Sequence, residues 1–376
     1  MPSALPERHG CATQKPRIHI DAEGWGARDP PMALRSFSSL LCLGLLYSLS
    51  VQAGSPPAQT APSPQPSAVP PPPFTPTKPS LASAPGTSAS PPTLLDPKIS
   101  GIVSSIDEAR IRASVTQLVG FSTRNTCSAL TGTTGIGAAQ NWLKSQFDTL
   151  PGVKVALDAF TPTGCPTSVA RNNVIAWIPG TNPSRLILIS GHYDSRTLNV
   201  ADGTSPAPGA NDSGSQASLV LETARALAGH TFDATLVFAE FAGEEQGLVG
   251  SRAFLTHLQG NTNPSLPKGV IELDLQSDIV GGDTTVNTAD DLTHFRLYSP
   301  GTPRENTSAS PDGTPDDTSP SRGVMRYIGY WGGAYVPDVT MDAKLREDRP
   351  GRGSDHQSFI EKAIPGVRFI DRNETT

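Results

Sequence analysis

The chain has no basic excess: 29 Lys and Arg stand against 35 Asp and Glu in 376 residues, giving a net charge of −6 and a pI near 5.7. No basic stripe appears, which argues against nucleic acid as a partner. Charge of either sign is scarce, at 17% of residues. Long apolar runs are lacking as well. The Leu-rich run from Leu40 to Leu49 is too short for a comfortable membrane span. Cysteine is limited to 4 residues, and no internal repeat is visible.

Proline is plentiful and unevenly placed. Of 37, fifteen lie between Pro56 and Pro97, where the only aromatic is Phe74 and the only charges are Lys78 and Asp96. Such a segment cannot bury enough apolar area to offset chain entropy, so residues 54–98 are expected to form a disordered linker. The run Pro70 to Pro73 reads as spacer rather than as a binding motif. Upstream, Met32 opens a pattern with Arg35, the Leu-rich run and Val51-Gln52-Ala53. That is a positive region, a short apolar region and a small-x-Ala site, the layout of a secretory signal peptide over 32–53 cleaved after Ala53. An uncleaved anchor is the alternative. Residues 1–31 read as an upstream, non-native extension. The expected location is therefore extracytoplasmic, secreted or periplasmic, with no membrane span after cleavage. Processing would leave Cys127 and Cys165. An even pair in an oxidising compartment suggests one disulfide, worth about 2–4 kcal/mol, with two free thiols as the alternative.

From Ile99 the pattern becomes globular, and 99–376 reads as one domain. Helical spacing predicts helices over 107–119, 135–150, 213–228, 246–258 and 319–330. Strands are expected at 153–160, 173–178, 186–190, 233–241, 269–278 and 364–370. Leu186 to Ser190 is unbroken and apolar, as in a central strand covered on both faces. Strands alternating with helices predict an α/β fold, a three-layer α/β/α sandwich around a mixed, mostly parallel sheet.

Five metal-ligand types fall at ends of these strands or in tight turns: His192, Asp212, Glu245, Asp278 and His356. In α/β sheets, sites form outside the carboxyl ends of strands. A His/carboxylate set without thiolate suits zinc bound through nitrogen and oxygen. Taken singly, each residue has an ordinary reading: His192 in a hydrogen-bonded loop, Asp212 as a helix N-cap, Glu244-Glu245 as a helix start, Asp278 as a turn cap. Asp274 and Asp278 share a strand and a parity, so both could face the same side.

The segments Gly191-His192-Tyr193-Asp194, Gly209-Ala210-Asn211-Asp212-Ser213-Gly214, Gly243-Glu244-Glu245-Gln246-Gly247, Asp278-Ile279-Val280-Gly281 and Ser354-Asp355-His356-Gln357-Ser358-Phe359 resemble motifs of the two-zinc aminopeptidases. That zinc exopeptidase family also contains glutamate carboxypeptidase, glutaminyl cyclase and the transferrin receptor ectodomain. The resemblance implies two zinc ions bridged by Asp212, with His192 and Asp278 completing one site and Glu245 and His356 the other. It implies Glu244 as general base and Asp194 as the partner that orients His192. It selects Asp278 over Asp274. The expected function is removal of N-terminal residues from peptide substrates by a water activated between two zincs, in a protein read as a monomer. A carboxypeptidase, a glutaminyl cyclase and a non-catalytic or truncated ectodomain are the alternatives. The family continues past the last strand into a closing helix. That helix is expected to be missing here, leaving a marginally stable product.

Overall fold

The computed structural model describes residues 95–281, 293–301, 319–349 and 351–372, all within one compact unit. The leader, most of the linker, residues 282–292 and 302–318, residue 350 and the last four residues lie outside the described residues.

In chain order the helices are α1 (Pro97–Ser104), α2 (Glu108–Val119), α3 (Gly135–Asp148), α4 (Gly214–Leu227), α5 (Val249–Gly260), α6 (Pro320–Tyr335) and α7 (His356–Ile360). The strands are β1 (Lys154–Phe160), β2 (Arg171–Ile178), β3 (Asn182–His192), β4 (Ala234–Phe241), β5 (Val270–Ser277), β6 (His294–Tyr298), β7 (Thr340–Lys344) and β8 (Gly366–Asp371). They form one sheet in the order β1-β2-β4-β3-β5-β8-β6-β7. The central run β4-β3-β5-β8 is parallel, so these four strands point their carboxyl ends the same way.

Alternation along the central strands builds two cores. Ile187 and Ile189 of β3, with Leu236 and Phe238 of β4, face a layer that includes Leu118 of α2, Leu143 of α3, Leu221 of α4 and Ile328 of α6. Leu186 and Leu188, with Val237, Ala239 and Phe241, face Phe254 and Leu255 of α5 and Phe359 of α7. The sheet is thus covered on both faces, as its unbroken apolar strands require. Helix α4 is buried at every position but Arg225, because it lies under neighbouring helices as well as on the sheet.

Three differences from the expected elements have physical causes. Helix α1 begins at Pro97 with Asp96 as its cap, accepting from the Lys98 amide, so helical structure starts inside the stretch read as linker. Helix α5 starts at Val249 rather than at 246, because residues 243–248 are taken up by a tight turn. Strands β6 and β7 and helix α7 have five residues each, too few to show a period. Cys127 and Cys165 are joined in a disulfide. Among the described residues no helix is long and apolar enough to cross a membrane.

Candidate metal centre

The carboxyl ends of the parallel strands converge on one acidic hollow. His192 is the last residue of β3, opposite Phe241 at the end of β4, and is buried. Its Nδ1 lies 3.2 Å from Asp194 Oδ1. Its Nε2 faces Asp212 Oδ1 at 3.4 Å and Asp278 Oδ1 at 3.5 Å. With Nδ1 donating to Asp194, Nε2 is the nitrogen turned to the two carboxylates.

Asp212 does not cap a helix. Ser213 holds the N-cap position of α4, and no side-chain cap bond forms there. Asp212 Oδ1 is enclosed and has no hydrogen-bond partner among the described residues, an arrangement that costs free energy unless a cation is to be met. The loop carrying it is fixed by Arg124, a guanidinium with no exposed surface. Arg124 donates to the carbonyls of Tyr193 (2.8 Å), Pro208 (2.6 Å) and Gly209 (2.8 Å), tying the end of β3 to the turn before α4. Burial lowers its pKa to about 10, still charged at neutral pH. Gly209 is required at this turn, because its φ is +46° and a Cβ would lie 2.4 Å from the Asp212 carbonyl.

The acid pair sits in the turn between β4 and α5. Gly243 enters it at φ +77°, and the Gly247 and Leu248 amides both donate to the Glu244 carbonyl at 2.9 Å. Three side chains from elsewhere hold this turn. Asn173 of β2 accepts from the Ala242 amide (3.1 Å) and donates to the Gly250 carbonyl (3.0 Å). Thr126 accepts from the Gly243 amide and donates to Asp194 Oδ2, each at 2.9 Å. Asp194 Oδ2 also accepts from the Glu245 amide at 3.4 Å. Asp194 therefore orients the imidazole and the acid pair together. Asn173→Ala would strand several buried polar groups, including Asp158 Oδ2, to which Asn173 donates at 3.1 Å. The expected loss is about 2–4 kcal/mol, measured by chemical denaturation.

Asp278 follows β5 directly and is held from two sides. Arg368 of β8 donates to Oδ2 at 2.6 Å, and Gln216 of α4 donates to Oδ1 at 3.2 Å. Oδ1 remains on the His192 side. Arg368 also pairs with Asp348. Burial works against its charge, but Asp348 and Asp278 outweigh it and hold the guanidinium ionised. Asp274, four residues earlier, turns away to accept from Ser190 Oγ at 2.7 Å.

His192, Glu244 and Asp278 offer ligand atoms all within 4.8 Å of one another, and Asp212 joins them through His192. Glu245 adjoins this group with its carboxylate on Arg196. The structure does not bring His356 in. The imidazole is buried, with Nε2 donating to the Glu347 carbonyl at 3.1 Å and lying 3.9 Å from Asp348 Oδ2. Its neighbour Asp355 is the member of that segment that faces the acids: burial, with Asp194 and Asp278 nearby, pushes it up to about 7. Burial likewise raises Glu244 well above the usual carboxylate range. Arg124, Asn173, Thr126, Gln216, Arg368 and Asp355 were not expected from sequence. A visible signal existed for Arg368, a lone charge inside an apolar strand, which must be paired once buried.

The donor set fits zinc. One imidazole nitrogen and several carboxylates meet where Asp212 Oδ1 lacks a partner, and no thiolate is near.

The profile of peptidase family M28 matches residues 173–376. A probable zinc metalloprotease of Pyricularia oryzae is 36% identical over 75% of this chain and 58% of its own length. The chain thus spans about three fifths of that relative. Among solved structures, the LapA aminopeptidase of Legionella pneumophila superposes with a TM-score of 0.53 at 22% identity, covering 72% of this chain and 62% of that one. A glutaminyl cyclase of Fimbriiglobus ruber gives 0.50 at 22% identity, covering 76% and 88%. At that identity these two similarities speak for the fold alone.

Proposed function

The chain belongs to peptidase family M28, a family of zinc metallopeptidases, and from that premise we propose that it is an exported exopeptidase releasing N-terminal residues from peptides. The observation that carries the reading is the meeting of His192, Asp212 and Asp278 with Glu244 at the ends of β3, β4 and β5. His192, Asp212 and Asp278 would hold one zinc. Asp212 and Glu245 would contribute to a second; His356 donates from Nε2 to the Glu347 carbonyl and keeps Nδ1 without a partner among the described residues. Zinc supplies a Lewis acid for the scissile carbonyl and acidifies water.

The remaining work falls to the chain. Glu244 takes the proton of the attacking water as the carbon–oxygen bond forms, and passes it to the amine as the carbon–nitrogen bond breaks. Its burial supports this role, since a desolvated carboxylate is a stronger base than a solvated one. Asp194 fixes the tautomer of His192. The surplus of carboxylates, Asp355 among them, favours a substrate presenting a free α-ammonium, which supports the aminopeptidase reading over the carboxypeptidase one. Export is supported by the leader layout before Ala53 and by the Cys127–Cys165 disulfide, a bond at home in oxidising compartments.

A panel of aminoacyl-anilides, N-blocked peptides and peptides with N-terminal glutamine tests the reading. Hydrolysis confined to free-amine substrates is expected. Release of residues from the carboxyl end, or cyclisation of glutamine without hydrolysis, would replace it.

A further inference from the structure

The acid site is not symmetric in how its charges are met. On the His192 side, Asp278 is ordered by Arg368 through Oδ2, and Oδ1 stays directed at the imidazole. On the Glu245 side a different cation is present. Arg196, two residues beyond Asp194, points its guanidinium Nε at Glu245 Oε2 in a direct ion pair. The Arg196 side chain is 37% exposed and that of Glu245 9%, so the arginine closes the solvent side of a carboxylate that is otherwise enclosed. It also lies near enough to Asp212 to stabilise that carboxylate's charge. The two carboxylates that a second ion would need are thus the two that Arg196 faces.

We propose that Arg196 is a built-in counter-cation that competes with the second metal ion. The first ion meets an imidazole lone pair and two carboxylates already aimed inward. The second must displace a guanidinium from Glu245. The chain therefore takes up zinc in two unequal steps, and Arg196 sets the gap between them. The guanidinium side chain is already partly exposed, so its release toward solvent costs little burial. Because the pair is a charge-assisted hydrogen bond whose arginine is partly exposed, its removal should change second-ion affinity by about tenfold.

The proposal rests on the zinc reading of the site, and the test separates the two. Metal-free full-length protein is titrated with zinc against a chromophoric chelator, comparing wild type, Arg196→Gln and Arg196→Lys. The expected result is one tight equivalent in every form. A second equivalent should be weaker in wild type and in Arg196→Lys, and about tenfold tighter in Arg196→Gln. Two equal equivalents in wild type would overturn the competition while leaving the zinc site intact, as would a second affinity that Arg196→Gln does not move. Absence of any tight equivalent would overturn both. The Arg196 side chain is partly exposed and glutamine keeps a polar group of similar reach there, so Arg196→Gln is expected to fold.

Discussion

Glu244→Gln is expected to lower kcat by about 10³-fold while the protein still binds its first zinc with wild-type affinity. Glutamine keeps the shape and the turn, whose bonds run through the Glu244 carbonyl rather than the side chain: the Gly247 and Leu248 amides each donate to it at 2.9 Å. What it cannot do is take a proton from water. Glu244 lies within 4.8 Å of His192 and Asp278, so two readings compete, in which it binds metal or works on water. The variant separates them. If Glu244 were a required ligand, chelator titration would show the tight equivalent lost along with activity. If it is the base, metal content stands and only turnover falls, with KM little changed because substrate contacts persist. Hydrolysis surviving within tenfold would remove Glu244 from the mechanism.

The central strands were legible because their chemistry is repetitive. A buried parallel strand must be apolar on both sides, and Leu186 to Ile189 and Leu236 to Ala239 say so directly. His192 and Asp278 drew attention as ligand types placed together at strand ends, though each alone had an ordinary reading, and Asp194 entered only through the family resemblance. Position relative to the fold could be read, but side-chain direction could not. The motif around His356 placed a ligand type near the site, yet the ring follows its own short helix toward Glu347. Arg124, Thr126 and Asn173 stayed hidden because each works by bonding backbone groups 69 to 117 residues away. No sequence period encodes such a contact. Asn173 lies in a stretch that reads simply as a strand, and only the fold shows that it grips both ends of the acid-pair turn.

Strand parity alone left Asp274 and Asp278 alike, and paired variants should show them to be opposite in kind. Asp278→Asn is expected to weaken the tight zinc by about 10²-fold or more, since it removes an anionic ligand and also strips Arg368 of a partner at 2.6 Å. Asp274→Asn should leave zinc affinity where it is and act on stability. Burial pushes Asp274 up to about 8, far above the value near 4 of an unfolded aspartate. Between those values the unfolded chain gives up a proton that the folded chain keeps. Folding stability from this group is therefore fully present below about pH 4 and declines as pH rises through the folded value. Asparagine mimics the protonated acid and can still accept from Ser190 Oγ at the position of Oδ1, so it removes the decline. Measured in metal-free protein by denaturant titration at pH 5 and pH 8, Asp274→Asn should be more stable than wild type at the higher pH, with the difference narrowing at the lower. A variant that loses zinc at position 274 and keeps it at 278 would exchange the two roles. Since Asp274 lies within β5 and Asp278 just past its end, that outcome would also mean the ions sit four residues further down the strand than the hollow described above.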